Sequence, residues 1–413
     1  MQARWLMLPL LLASPARAEL LTPARAADLR TGIRTNFFVP VPLPALEAKT
    51  QRTFFPAAGV KAEAVTYTTQ LGMRVPAILY LPEPLPAGGK KIPAFIVVNG
   101  HGGDKYAWYA FYSGIAYARA GMAVLTYDQA GEGERSGNRK SGTREHDRLV
   151  GDEILARRLA GLMITDVMQA VSLLAARPEI DASRIGAAGY SMGSFVLAVA
   201  GAVETRLRAC VLVGGGNLDG PDGYWDRSKA MCQGHPYRSL AFLGDRPAML
   251  YALHAARGPL LIWNGRADSV VNMPKTQDDF FDDLRARTIA AHGKAEGVFE
   301  FGFVPATSHR PYFVTRPVAL WLERQLDLPR FTAASLHELP ETHISEWVAM
   351  HGIAVDNLYA TEEREGGTRG IGTGVPGYER ESLSVFSRAE WEREKSRLTF
   401  DAWTAAARRA ATP

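Results

Sequence analysis

Cysteine is scarce in this chain of 413 residues: there are two, Cys210 and Cys232. A small scaffold stapled by disulfides is thereby excluded. Whether the two pair or stand as separate buried thiols is open at the level of sequence. An excess of one charge is also missing, with 47 Lys and Arg against 43 Asp and Glu. No basic stripe interleaved with aromatics is found, so nucleic acid is not an indicated partner. Beyond the N-terminus no segment reads as long and apolar enough to span a membrane. There is no internal repeat and no low-complexity tract. Hydrophobic residues at 47% and charged residues at 22% are those of a folded globular protein, which sets disorder aside. The length allows one large domain with a well-buried core, with or without an extension.

Residues 1–18 read as an export signal. Arg4 supplies a positive start, residues 5–13 (WLMLPLLLA) a short apolar run, and Ala16 and Ala18 the small residues a signal peptidase reads. The apolar run is too short for a spanning helix. A buried N-terminal helix is the competing reading. Cleavage after Ala18 removes Arg4 and Arg17 and lowers the formal charge from +4 to +2. The expected location is secreted or periplasmic, with no membrane attachment once the signal is removed.

Residues 19–60 are Pro-rich and weakly patterned, and read as an N-terminal arm. From residue 61 the pattern changes. Runs at 61–67 and 74–81 read as a strand hairpin turning near Leu71-Gly72. Short, mostly apolar runs at 92–99, 122–127, 184–188, 209–213, 259–264 and 298–304 suit strands covered on both faces. Helical patterns at 107–120, 152–176, 192–203, 276–291 and 311–326 alternate with them. Such alternation implies an α/β fold with a mostly parallel sheet and helices on both faces. Residues 214–257 are longer than a simple crossover needs and read as an insertion near the site. After residue 329 the alternation stops. Residues 330–413 read as a C-terminal extension with a Gly-rich stretch at 366–377 and a last helix near 389–410.

The strongest chemical signal is Gly189-Tyr190-Ser191-Met192-Gly193. It follows a strand and precedes a helix, the context in which a nucleophilic serine is held on a sharp turn. Small residues two before and two after let strand and helix approach, and the helix dipole favours negative charge at the turn. The bland reading is a serine N-cap in an ordinary strand–helix turn. The second signal is Asn99-Gly100-His101-Gly102-Gly103, at the end of another strand. Acyl transfer needs backbone N–H donors aimed at an oxyanion. Met192 is expected to supply one, and this loop the other, through Gly103 or else Gly102. His101 is read as ordering the loop. The bland reading is a plain Gly-rich turn. A hydroxyl also needs a base held by a third group. Asp268, in the turn after the strand at 259–264, is the candidate acid. His309, between the last strand and the last core helix, is the candidate base. The order Ser191, Asp268, His309 is the one this strand–turn–helix arrangement uses.

These motifs resemble the α/β-hydrolase superfamily. More narrowly, the chain resembles bacterial acetyl xylan esterase-like and dienelactone hydrolase-like proteins, through Gly100-His101-Gly102-Gly103-Asp104-Lys105, through Asp128-Gln129-Ala130-Gly131-Glu132-Gly133-Glu134-Arg135, and through Asp181-Ala182-Ser183-Arg184-Ile185-Gly186 leading into the serine turn. Arg257-Gly258-Pro259-Leu260-Leu261-Ile262 also fits. The resemblance covers residues 61–328. It implies an α/β-hydrolase catalytic domain (61–329) that cleaves a small-molecule or carbohydrate ester without a cofactor, and it points to the acetyl groups of plant polysaccharide as the substrate class. Residues 219–246 depart from the pattern. Gly131-Glu132-Gly133 resembles half of a dinucleotide loop, yet lacks the helix start and later acid, and is read as site wall. The histidines other than His101 and His309 show no paired ligand spacing, so no metal is expected. Trp108, Tyr109, Tyr224 and Trp225 are candidates for a pocket lining or for core. A lactonase, a thioesterase and a serine peptidase would use the same three residues, and a non-catalytic binding protein on a hydrolase fold is the alternative of a different class. Oligomeric state is not legible.

Overall fold

Alternation along the strands decides which side chains face which layer, because successive residues of a strand point to opposite faces. In the run Ile92–Val98, Ala94, Ile96 and Val98 join one buried cluster while Phe95 and Val97 join another. The computed structural model, which describes residues 20–220, 223–344, 346, 350 and 374–410, shows this split across one sheet of nine strands. In chain order these are β1 (Lys49–Ala57), β2 (Val60–Thr68), β3 (Arg74–Pro82), β4 (Ile92–Val98), β5 (Ala123–Tyr127), β6 (Ile180–Tyr190), β7 (Ala209–Val213), β8 (Leu260–Gly265) and β9 (Phe299–Val304). Their order across the sheet is β1-β2-β3-β5-β4-β6-β7-β8-β9. The first three neighbouring pairs in that order are antiparallel and the other five parallel. Chain order reverses at β4, between β5 and β6. The crevice beyond the C-terminal ends of the strands at such a reversal is where open α/β sheets bind ligands.

Helices cover both faces. In chain order they are α1 (Pro23–Asn36), α2 (Trp108–Arg119), α3 (Glu153–Ala175), α4 (Met192–Val203), α5 (Tyr224–Arg227), α6 (His235–Arg238), α7 (Arg246–Ala255), α8 (Asp278–His292), α9 (Arg316–Leu326), α10 (Ala333–His337), α11 (Arg388–Glu394) and α12 (Phe400–Arg409). Helices α3, α4 and α7 pack on one face; α2 and α9 pack on the other. Helix α3 starts where Asp152 accepts the N–H of Leu155 at 3.0 Å, a side-chain N-cap. By length and composition α3 could cross a bilayer, against the expectation that no later segment could. The protein itself buries 83% of that apolar stretch, which is what a core helix between sheet and outer helices requires.

The segment expected to be a weakly patterned arm is built into the domain. Helix α1 begins with Pro23 at its first position behind the cap Thr22. It is anchored by the Arg30 guanidinium, which donates to the carbonyls of Ala202 and Leu253 at 3.0 and 3.2 Å. Strand β1 then extends the sheet as an exposed edge beside β2. Residues 1–19, which include the expected signal, lie outside the described residues, as does most of the Gly-rich stretch at 366–377.

The C-terminal extension is tied to the domain through a buried carboxylate. Glu134 accepts the N–H groups of Val385 and Phe386, both at 2.9 Å, and its own carbonyl accepts the indole N–H of Trp391 at 2.8 Å. The same carboxylate lies 2.8 Å from Lys105 Nζ, which also donates to Asp128 at 2.6 Å. All three charged side chains are fully buried. Burial opposes the charge on Lys105, but Asp128 and Glu134 outweigh it and hold the lysine above its ordinary range. The single last helix expected near 389–410 is two, α11 and α12, because the Thr399 hydroxyl caps a new helix by accepting from Ala402. Phe400 and Trp403 of α12 then pack in the same cluster as α3.

Removing Glu134 would strand a buried lysine beside a single carboxylate and leave two buried N–H groups without acceptors. Glu134→Ala is predicted to cost about 3–5 kcal/mol in urea unfolding. It should also expose residues 374–410 to limited proteolysis. A loss below about 1 kcal/mol with unchanged proteolysis would show that the buried pairing does not hold the extension.

Candidate active site

The turn between β6 and α4 is tight. Ser191 sits there with φ 55° and ψ −115°, a left-handed conformation that a side chain rarely adopts. Its N–H donates to the carbonyl of Val213 on the next strand at 2.8 Å, which holds the turn against β7. The flanking glycines leave no room for anything larger. A Cβ on Gly189 would stand 2.2 Å from the carbonyl oxygen of Gly193, and one on Gly193 would stand 2.1 Å from that of Val98. Met192 is the first residue of α4, and its N–H has no acceptor among the described residues, as the geometry of a helix N-terminus dictates.

Asp268 is fully buried in the turn after β8. One of its oxygens accepts the N–H groups of Val270 and Val271, at 3.0 and 3.3 Å. The other lies 2.6 Å from His309 Nδ1. A carboxylate fixed in this way makes Nδ1 the protonated nitrogen and leaves Nε2 as the lone-pair site. The His309 ring is tilted 34° against the ring of Tyr190, with centroids 4.9 Å apart, and the Tyr190 hydroxyl donates to the His309 carbonyl at 3.4 Å. Gly214, at the end of β7, has φ +63°, and a Cβ there would come within 2.9 Å of His309 Cε1. The imidazole therefore lies over the elbow, against the residue preceding Ser191.

The glycine loop after β4 lies beside the same turn, since Val98 and Gly189 are paired in adjacent parallel strands. Its ordering comes from side chains on three separate segments. The Asn99 amide donates to the Tyr127 carbonyl at 2.8 Å, Gln129 donates to the Asn99 carbonyl at 2.8 Å, and the Tyr109 hydroxyl accepts the Gly100 N–H at 3.1 Å. Gly103 is the first of the two glycines read as an oxyanion donor. Its N–H donates to the Gly100 carbonyl at 2.9 Å, and a Cβ on it would meet the Tyr109 hydroxyl, so it faces inward within the turn. Gly102 has φ +81° and lies against Arg144. The backbone N–H of His101 has no acceptor among the described residues. The His101 side chain pairs with Asp147 at 3.1 Å.

Of the four aromatic candidates, three are core. Trp108 stacks on Tyr112, Tyr109 packs against Phe313, and Trp225 stacks on Phe195 with its N–H on Asn217. Tyr224 instead lies over the acid loop, donating to the Val270 carbonyl. The Glu132 carboxylate accepts the N–H groups of Thr143 and Arg144, at 3.0 and 2.8 Å, so the Gly131-Glu132-Gly133 stretch orders a loop rather than a nucleotide. Cys210 in β7 and Cys232 in the insertion are both buried free thiols.

Solved structures share this framework. An acetyl xylan esterase from Thermoanaerobacterium sp. superposes on 76% of this chain and 96% of its own, with TM-score 0.50 and 17% identity. Methylesterase BT1017 covers 94% of this chain and 73% of its own, with TM-score 0.58 and 17% identity. The acetyl xylan esterase of Paenibacillus sp. R4 covers 75% and 96%, with TM-score 0.51 and 17% identity. This chain has the α/β-hydrolase fold. The acetyl xylan esterase family model matches residues 44–214 of this hydrolase fold, a span that holds both the glycine loop and the serine elbow. Hydrolase ORFZ of Pyricularia oryzae is 31% identical over 156 residues, 38% of this chain and 32% of its own length. The putative hydrolase YtaP of Bacillus subtilis is 31% identical over 91 residues, 22% and 29% of the two chains. The matched stretches span under a third of these two relatives.

The close approach of α4 to β4 at the elbow is directly testable. Gly193→Ala must push a methyl group into the Val98 carbonyl, which is backbone of a central strand and cannot move aside. It is predicted to cost about 3 kcal/mol or more in chemical unfolding. Ala198→Gly, in the same helix, should cost about 1 kcal/mol. Equal losses in the two variants would contradict the close approach of α4 to β4.

Proposed function

We propose that this protein is a serine carboxylic-ester hydrolase that works through an acyl-enzyme. The observation that carries the reading is the 2.6 Å contact between Asp268 and His309 Nδ1, with the imidazole packed on the residue that precedes the elbow serine. In this reading Ser191 Oγ attacks the ester carbonyl carbon while His309 Nε2 takes its proton. The carbonyl oxygen becomes an oxyanion. The Met192 N–H at the helix N-terminus supplies one donor to it. The second donor is assigned to the His101 N–H, because that of Gly103 is already committed within its turn. As the tetrahedral centre collapses, His309 returns the proton to the leaving alcohol and the acyl group stays on Ser191. Water then repeats the sequence with His309 as base and releases the acid. Asp268 orients the imidazole and stabilises its charged form.

Similarity to acetyl xylan esterases supports a short acyl group, and acetyl esters of plant polysaccharide as the substrate class. Export by the signal read at residues 1–18 would bring the protein to that substrate. Lactones and thioesters place the same carbonyl before the same three residues, so relative turnover separates them. Purified protein assayed on p-nitrophenyl acetate, butyrate and octanoate should show the highest kcat/KM on acetate. Ser191→Ala should lose at least about 10³-fold in kcat, and Asp268→Asn about 10⁴-fold through misorientation of the imidazole. Turnover of acetate unchanged in Ser191→Ala would overturn the mechanism.

A further inference from the structure

Two further loops converge on the glycine loop. The loop after β4 brings His101, the turn Glu145–Arg148 brings His146 and Asp147, and the π-helical turn Ala230–Gly234 of the insertion brings Cys232. One ligand-capable atom from each of these four side chains lies within 4.8 Å of every other. Two imidazoles, a carboxylate and a thiol make up a set of nitrogen, oxygen and sulfur donors that suits Zn²⁺ in tetrahedral coordination.

Hydrogen bonding within the cluster matches that chemistry. His146 is fully buried. Its Nδ1 lies 2.9 Å from the Ala130 carbonyl, which requires the proton to sit on Nδ1. Its Nε2 is buried and has no partner among the described residues. A histidine held by a backbone carbonyl on one nitrogen, with a free lone pair on the other, is the arrangement that supports a metal ligand from behind. The unpartnered nitrogen belongs to a ring whose centroid is 4.8 Å from that of His101. His101 Nε2 and Asp147 lie 3.1 Å apart. Two ligands each about 2 Å from one tetrahedral ion would be roughly 3.3 Å apart, so this pair needs almost no rearrangement. Cys232 is buried and not in a disulfide.

We propose that His101, His146, Asp147 and Cys232 form a Zn²⁺ site that staples the insertion at residues 214–257 to the glycine loop beside Ser191. Four protein ligands close the coordination sphere, which makes the site structural and leaves no position for a reacting water. On binding, Cys232 gives its thiol proton to solvent, and His101 exchanges its hydrogen bond to Asp147 for a bond to the metal through Nε2, the proton on that nitrogen passing by way of solvent to Nδ1. The site shares only His101 with the esterase reading, and by different atoms: the metal would take its imidazole, whereas the oxyanion would take its backbone N–H. The ligands are 45 and 85 residues apart in the chain, counting from His101 to His146 and from Asp147 to Cys232, so no local spacing announces them.

The test uses the full chain stripped with a chelator and titrated with Co²⁺ and then Zn²⁺. One equivalent of Co²⁺ should give the visible bands of tetrahedral cobalt together with a thiolate-to-cobalt charge-transfer band, and Zn²⁺ should bleach both. Cys232→Ser should lose the charge-transfer band, while Cys210→Ser keeps it. His146→Gln should weaken Zn²⁺ binding by about 100-fold or more, as loss of a direct ligand exceeds the effect of losing an outer partner. Zn²⁺ should raise the melting temperature of the wild type and leave that of Cys232→Ser unchanged. The wild-type spectrum decides the matter even where a variant folds poorly. No stoichiometric uptake, or a charge-transfer band that survives in Cys232→Ser, would overturn the proposal.

Discussion

Everything near the site depends on how closely helix α4 approaches strands β4 and β6. That approach is set by two missing side chains. With carbonyl oxygens 2.1 and 2.2 Å from where the Cβ atoms of Gly193 and Gly189 would be, only hydrogen fits. The consequence is a turn too short for ordinary backbone angles, and the strain falls on Ser191 at φ 55°. Raised in this way, the serine stands clear of the sheet at the N-terminus of a fully buried helix, where partial positive charge is concentrated. The wall of buried strands around it prevents relaxation. Val213 holds the Ser191 N–H from one side, and the Val98 end of β4 presses from the other.

The remaining groups reach that turn because parallel strands deliver their C-terminal ends to the same edge. Strands β4, β6, β8 and β9 end in the glycine loop, the elbow, the Asp268 turn and the His309 loop respectively. The loops are then held by interactions that no catalytic pattern describes. Tyr190 carries the imidazole, and Asn264 bonds both ways to the backbone of Gly215 at 3.0 and 2.9 Å. Lys105, just past the glycine loop, is locked between Asp128 and Glu134, and Glu134 in turn holds the backbone of Val385 and Phe386. Residues 374–410 are thus coupled to the loop beside Ser191 through one buried charge network.

Strands buried on both faces were the most legible part of the chain. Residues 209–213 and helix residues 192–203 lie where the pattern places them, because burial on all sides leaves a continuous apolar signal. The positions of Ser191, Asp268 and His309 in the fold are legible for a related reason: each follows such a run, at a point where the chain must turn. What was not legible depends on tertiary context. Helix α1 carries no clear apolar stripe and is secured by Arg30 reaching distant carbonyls. Strand β1 is an exposed edge that contains Pro56. The inward direction of Gly103 follows from a single backbone hydrogen bond within its turn. The cluster of His101, His146, Asp147 and Cys232 is brought together by three separate loops, and neither the sequence spacing nor the motifs place these residues side by side.

A nucleophilic Ser191 and a helix-capping Ser191 differ in their reactivity toward serine-directed reagents. The most direct measurement is labelling of the intact protein with a fluorophosphonate, followed by peptide mass spectrometry. The account predicts one equivalent of label, all on Ser191, and labelling that slows sharply in His309→Ala. No label on Ser191 in folded protein, or label on another serine such as the neighbouring Ser194, would contradict it.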